Sequence, residues 1–385
     1  MIHGTRQRVV FATTVYGDGA NGPETYARYL WDALGEDPEV EFHLVAPELP
    51  GVHPHWHPAG RGAHSLDLYR RVAHTALQTA RNLSASGTQV LLHVNNSNLH
   101  SSLLPYEGPL WGQVNDYENA DWWRRAGETI RRAGCRRFLA LGRRRWLERR
   151  LVARQDLSLC NSEFTRQKIL AEYHPPHPER IITLHKAVNL DFFRRPASSP
   201  DDPLGRPAAA RRFLFVGSDI VRKGLDTLLQ AVTMLPLDFD WHLTLVGANQ
   251  AQVTAAFPGL PMAQIERRVC YAGKQDKDEL RKIMWTSDVF VLPSRAEAFG
   301  VSLLEALAAG LPVVAAKVGG IPEIVQNSDM GMLIAPDDPV VLAQALRDIP
   351  RWPNGQAPAT VWKILENFSS HAMINRLREL YLRAV

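Results

Sequence analysis

An α/β protein of two domains with mainly parallel sheets is what this sequence predicts, on three observations. The chain has 385 residues, and single domains run to roughly 100–200 residues. Strand-like apolar runs alternate with helical patterns along most of its length. A proline-rich break near the middle separates two such series.

The first series opens with a strand at Arg8–Thr14. A helix follows at Glu24–Leu34, with Tyr26, Leu30 and Leu34 at helical spacing. Val40–Ala46 reads as a strand. Ser65–Leu83 reads as a helix with Leu66, Tyr69, Val72, Ala73 and Ala76 on one face. Val90–Val94, Leu110–Val114, Leu157–Cys160 and Ile181–Leu184 are further strands. Arg194–Arg212 then carries four prolines among Ser, Asp and Ala and is the expected linker. The second series has strands at Phe213–Val216, His242–Val246, Val269–Tyr271, Val289–Leu292, Val313–Ala315 and Met332–Ile334. Domains over 1–192 and 193–368 are expected.

A composition of 45% hydrophobic and 22% charged residues excludes a disordered or fibrous chain. No run approaches the roughly 18–20 apolar residues that span a bilayer. The N-terminal apolar run is only strand-length, so no signal peptide is expected. Cys135, Cys160 and Cys270 lie far apart and offer neither metal spacing nor a disulfide framework. A cytoplasmic setting is therefore expected.

Arg124–Arg154 holds 12 arginines against Glu128 and Glu148, while the whole chain carries only +4. Trp122, Trp123, Phe138, Trp146 and Leu151 are interleaved with them. Such a region suits anionic lipid headgroups or the phosphates of a nucleic acid. A solvated helical face with its apolar residues turned inward reads equally well. An anionic membrane surface is the partner expected here, and nucleic acid is not.

Chemistry concentrates in SRAEAFGVSLLEALAAGLPVVAAKVGGIPE, Ser294–Glu323, which runs strand, turn, helix, strand, turn, helix. The turn Ala298–Phe299–Gly300 opens a helix whose first amides and dipole favour an anion such as diphosphate. Glu297 stands before that anion site and Glu305 a turn into the helix. Such a pair accepts hydrogen bonds from hydroxyls at either end of a sugar nucleotide. In FLFVGSDIVRKG, Phe213–Gly224, a strand leads to Arg222 and Lys223 at a helix start. Cations are unfavourable there without an anion to meet.

This Glu-x7-Glu pair, within EAFGVSLLEALAAGLPVVAAKVGGIPEIV, closely resembles the donor-site signature of retaining family-4 glycosyltransferases of the GT-B fold. The resemblance implies two Rossmann-like domains across a cleft, with a last helix over 369–385 crossing back to the first. It implies metal-independent transfer from a nucleotide-sugar, with UDP- or GDP-sugars expected, to a hydroxyl of a glycan, lipid-linked or small-molecule acceptor. No cofactor is implied. Glu297 would contact the transferred sugar and Glu305 the ribose hydroxyls. The amides of Phe299, Gly300, Val301, Ser302 and Leu303 would face sugar and diphosphate. Lys223 and Arg222 would stabilise the leaving diphosphate beside Gly217. Many relatives follow that glycine with Arg, where this chain has Ser218.

The loop Tyr16–Pro23 resembles the family's N-terminal Gly-Gly loop, with Gly22 as the second glycine. After Leu110–Val114, Asp116 is the candidate to meet the acceptor or the sugar. It reads equally as a helix cap. Asn115 stands where the family often has His and cannot act as a base.

His53, His55 and His57 alternate in HPHWHP. The prolines read as a loop, and no carboxylate or Cys stands at useful spacing, so no metal is expected. A Rossmann oxidoreductase is the rival from another class, but no Gly-x-Gly-x-x-Gly follows the first strand in register. A nucleotide-sugar epimerase of the same fold and a non-catalytic docking protein are further alternatives.

Overall fold

The structure is a computed structural model that describes residues 6–16, 22–61, 65–85, 87–95, 106–116, 139, 142–143, 145–197, 202–205 and 210–384. The chain divides into two compact units, Met1–Lys186 with His371–Val385, and Ala187–Ser370.

In the first unit, β1 (Gln7–Ala12), β2 (Val40–Ala46), β3 (Trp56–Pro58), β4 (Val90–Val94), β5 (Leu110–Val114), β6 (Leu157–Cys160) and β7 (Ile181–Thr183) form one parallel sheet. Its order is β3-β2-β1-β4-β5-β6-β7. Strands β4 and β5 are buried at every position. A parallel sheet covered on both faces requires this, which is why these strands are continuous apolar runs. The helix Ser65–Ser84 packs Val72, Ala73, Ala76 and Ala80 against Val10, Val45 and Leu92.

The HPHWHP segment is not simply a loop. Trp56, His57 and Pro58 pair in parallel with Leu44, Val45 and Ala46. An edge strand exposes one side of its backbone, so it tolerates the prolines that argue against a central strand.

In the second unit, β8 (Arg211–Val216), β9 (Trp241–Val246), β10 (Val269–Gly273), β11 (Val289–Leu292), β12 (Val313–Ala316) and β13 (Gly331–Ile334) form a parallel sheet. Its order is β10-β9-β8-β11-β12-β13. Strand alternation splits its apolar residues between two cores. Phe213, Phe215, Leu243 and Leu245 face one. Leu214, Phe290 and Leu292 face the other, with Leu303, Leu304 and Leu307 of the helix Val301–Ala308.

The second unit begins at Ala187, before the boundary expected after 192. Val188 explains this. Its amide donates to Phe368 O at 3.0 Å, its carbonyl accepts from the Ser370 amide at 2.9 Å, and Phe193 lies in the second unit's core. Helix Ser370–Leu382 buries Met373, Leu377 and Tyr381. Tyr381 stacks on Trp111 at 5.4 Å, its hydroxyl lies 2.6 Å from His93 Nδ1, and Arg378 Nε donates to Asp37 Oδ2 at 2.7 Å.

Both sheets reverse their strand order beside their first strand. The reversal lies between β1 and β4 in one unit and between β8 and β11 in the other. Open α/β sheets bind ligands outside the carboxyl ends of the strands at such points.

Candidate active site

The loops leaving β8 and β11 meet at the reversal point of the second sheet. Arg295 N donates to Arg222 O at 2.8 Å, tying one loop to the other. Within the first loop, Asp219 braces the turn. Its Oδ1 accepts from Arg222 N at 3.2 Å, and its Oδ2 accepts from Arg222 Nε at 3.0 Å. Arg222 Nη1 also donates to Ala296 O at 2.9 Å and stands 3.7 Å from Glu297 Oε2. Arg222 thus fastens the segment that carries Glu297.

Lys223 folds back over Gly217. A Cβ at Gly217 would stand 2.2 Å from Lys223 Cδ, so only glycine lets the lysine stem lie there. Lys223 Nζ donates to Val216 O at 3.3 Å and lies 3.9 Å from Glu297 Oε2. Burial pushes the Lys223 ammonium below the ordinary lysine range; Glu297 opposes this and Arg222 reinforces it. Glu297 Oε2 is buried and accepts no hydrogen bond, and Ser294 Oγ nearby in sequence has no partner either. Buried polar atoms without partners at the mouth of two loops are what a polar ligand would satisfy.

Gly319 and Gly320 fix the Glu297 backbone. The Gly320 amide donates to Glu297 O at 3.2 Å. Gly319 has φ +56°, and a Cβ there would stand 1.6 Å from Glu297 O.

Gly300 caps the eight-residue helix Val301–Ala308. Val301 and Ser302 stand in its first turn, where the helix supplies no acceptor for their amides. The expectation that every amide from Phe299 to Leu303 faces ligand is corrected at Leu303. Its N–H donates to Gly300 O at 2.9 Å, closing the first turn, and its side chain is fully buried. The Phe299 ring also turns into the core, 5.9 Å from Phe368.

Glu305 lies one turn further in and is buried. Its Oε1 pairs with Lys277 Nζ. Lys277 is the first residue of the helix Lys277–Trp285, which Asp276 caps by accepting from Glu279 N at 2.8 Å. The sequence reading missed Lys277. The signal was there: a cation at a helix start is unfavourable without an anion, as at Lys223.

Ser218 follows Gly217 just past β8 and is exposed. Gly22 begins the helix Gly22–Leu34, and residues 17–21 before it lie outside the described residues. Asp116 is exposed just past β5. Residues 117–138 of the arginine-rich region also lie outside the described residues. In its described end, Leu151 and Val152 are buried, Glu148 accepts from Tyr173 Oη at 2.8 Å, and Arg150 covers the exposed Trp146 ring at 4.7 Å. No helix among the described residues is long and apolar enough to cross a membrane.

Residues 210–350 match the family "Glycosyl transferases group 1". The chain is 32% identical over 212 residues to the D-inositol 3-phosphate glycosyltransferase of Mycolicibacterium gilvum, covering 52% of this chain and 46% of that one. It is also 32% identical over 224 residues to the enzyme of the same name from Corynebacterium aurimucosum, covering 54% and 52%. The chain thus spans about half the length of these curated relatives. Among solved structures, sucrose-phosphate synthase from Thermosynechococcus elongatus superposes with a TM-score of 0.78 at 21% identity, over 98% of this chain and 99% of that one. HepE from Anabaena in complex with UDP-glucose gives 0.69 at 17% identity, over 98% and 100%. The second unit thus carries a group 1 glycosyl transferase domain over residues 210–350, and the two parallel α/β units have the GT-B fold of these solved structures.

Proposed function

We propose that the protein transfers a sugar from a nucleotide-sugar, a UDP- or GDP-sugar, to an acceptor hydroxyl with retention of anomeric configuration. One observation carries this reading. Two cations, Lys223 and Arg222, lie 3.9 and 3.7 Å from a buried, unbonded Glu297 oxygen. They stand at the carboxyl ends of β8 and β11, where a parallel sheet receives its ligand.

In this reading the second unit binds the donor. The Val301 and Ser302 amides and Lys223 meet the diphosphate, and Glu305, held by Lys277, takes the ribose hydroxyls. Glu297 contacts the transferred sugar. The bond between the anomeric carbon and the diphosphate oxygen breaks, and its electron pair leaves with the diphosphate. Lys223 and Arg222 stabilise that growing charge in a water-poor setting, where such contacts are strongest. The acceptor oxygen bonds to the anomeric carbon from the face the diphosphate leaves, and its proton passes to the departing phosphate oxygen. No step requires a metal or a further cofactor. Acceptor recognition falls to the first unit, with Asp116 and Gly22 as its candidates.

A thermal-shift screen of UDP-, GDP-, ADP- and dTDP-sugars tests this. One nucleotide series should raise the melting temperature, since a ligand at 100 times its Kd stabilises by about 2.7 kcal/mol. Turnover of that donor should give a product with the donor's anomeric configuration by NMR. Absence of any shift across the series, or an inverted product, contradicts the proposal.

A further inference from the structure

We infer that Glu41, His43 and His55 form a binding site for a zinc ion at the edge of the first unit's sheet, separate from the donor site. One ligand atom from each of the three lies within 4.8 Å of the other two. Glu41 and His43 share a face of β2 because strand side chains repeat every second residue. The pairing of β3 beside β2, with His57 opposite Val45, brings the His55 segment to them. This is why the alternating histidines looked unsupported in sequence: the carboxylate and the fourth imidazole come from another strand.

The contacts around His43 leave a place for a cation. Its Nδ1 lies 3.0 Å from His57 Nε2, and its Nε2 lies 3.1 Å from Glu41 Oε1. A neutral imidazole has one proton for these two contacts. Without a metal, that proton on Nε2 is donated to Glu41 Oε1, and Nδ1 accepts from His57. A zinc ion would replace the proton between Nε2 and Oε1 with two coordinate bonds. His43 would then carry its proton on Nδ1 and donate it to His57, which orients the ring. Glu41 is set the same way. Its Oε2 accepts from Arg8 Nε at 2.9 Å, which leaves Oε1 toward the histidines. His55 Nδ1 is buried and has no hydrogen-bond partner.

Distances and chemistry suit the ion. At bonds of about 2.0–2.2 Å, tetrahedral ligand atoms stand roughly 3.3 Å apart. The Glu41–His43 separation of 3.1 Å already matches, and the His55 ligand atom lies within 4.8 Å of both. Two imidazoles and one carboxylate form a borderline donor set that favours zinc over calcium or magnesium.

The test uses the full chain, stripped with chelator and titrated with zinc chloride by calorimetry. Wild type should bind one zinc ion per chain, and His55→Ala and Glu41→Gln should each weaken binding at least tenfold. His74→Ala, an exposed histidine on the helix Ser65–Ser84, should change nothing. Cobalt(II), used as a coloured substitute, should give tetrahedral ligand-field bands in wild type that His55→Ala loses. Zinc should also raise the melting temperature of wild type and leave that of His55→Ala unmoved, a readout that stands even if Glu41→Gln fails to fold. No zinc binding by wild type, or equal stoichiometry and affinity in His55→Ala, overturns the proposal and leaves the histidines as a hydrogen-bonded cluster.

Discussion

The two units share one strand order over six strands yet differ in what they set at its reversal point. In the second unit the loops after β8 and β11 bring together Arg222, Lys223 and Glu297, all charged. Among the described residues of the first unit, the carboxyl ends of its strands carry neutral amides and a hydroxyl. Asn95 N donates to Ala12 O at 2.9 Å, and Asn95 Nδ2 to Thr13 Oγ1 at 3.3 Å. Asn115 Nδ2 donates to Asn95 O at 2.7 Å, and Asn161 Nδ2 to Asn115 O at 2.8 Å. This ladder runs across the ends of β4, β5 and β6. In the proposed reading, the same scaffold then serves a diphosphate in one unit and uncharged hydroxyls in the other. Fold supplies the place, and the residues after each strand supply the chemistry.

The sharpest way to break this contrast is Glu297→Ala. Turnover should fall about 1,000-fold, the scale of losing one preorganised transition-state contact. Affinity for the free nucleoside diphosphate should change less than about tenfold, since the carboxylate addresses the sugar. Near-normal turnover would remove Glu297 from the site.

A somewhat smaller loss is expected from Gly319→Val, which touches no ligand. A side chain at φ +56° costs about 1–2 kcal/mol on its own. The Cβ also collides with Glu297 O. The melting temperature should drop, and turnover should fall about 100-fold by displacing Glu297. A variant destabilised but fully active per folded molecule would show that the Gly-Gly turn does not position that residue.

Lys277→Met should act more narrowly. It leaves the buried Glu305 without its partner, at about 1.5–3 kcal/mol for a charge-assisted bond. If Glu305 holds ribose, affinity for the plain nucleoside should fall about tenfold, and the diphosphate contribution should be unchanged. Unaltered nucleoside affinity would make the pair purely structural.

The smallest effect belongs to the first unit. Asn115→Ala removes one rung of the amide ladder, worth about 1 kcal/mol. Acceptor KM should rise several-fold with donor affinity unaltered, as measured by parallel titrations. A loss of donor affinity instead would blur the division of labour between the units.

How legible each feature was depended on its range in sequence. Strands such as Val90–Val94 and Leu110–Val114 were readable because burial on both faces demands an unbroken apolar run. The nearness of Lys223 to Glu297 and Gly217 was readable because strand, turn and helix lie contiguously around each of them. The edge strand Trp56–Pro58 was not, since its prolines speak locally for a loop and only its pairing with β2 makes it a strand. The same holds for Lys277, which meets Glu305 from a different helix. Leu303 shows a further limit. Its place in the first turn gave no sign that its amide would be taken by Gly300 O.

The central claim is that Lys223 faces the diphosphate of a nucleotide donor. Calorimetric titration of a nucleoside diphosphate and of its plain nucleoside into wild type and Lys223→Ala tests it most directly. The account predicts that wild type binds the diphosphate far more tightly than the nucleoside. In Lys223→Ala diphosphate affinity should fall by roughly tenfold or more, about 1.4 kcal/mol at least, while nucleoside affinity stays unchanged. Turnover should drop by about 100-fold, the lower end for one lost charge-stabilising donor, because Arg222 remains beside it. If Lys223→Ala binds both ligands as wild type does, Lys223 is a buried structural lysine and the donor-site account fails.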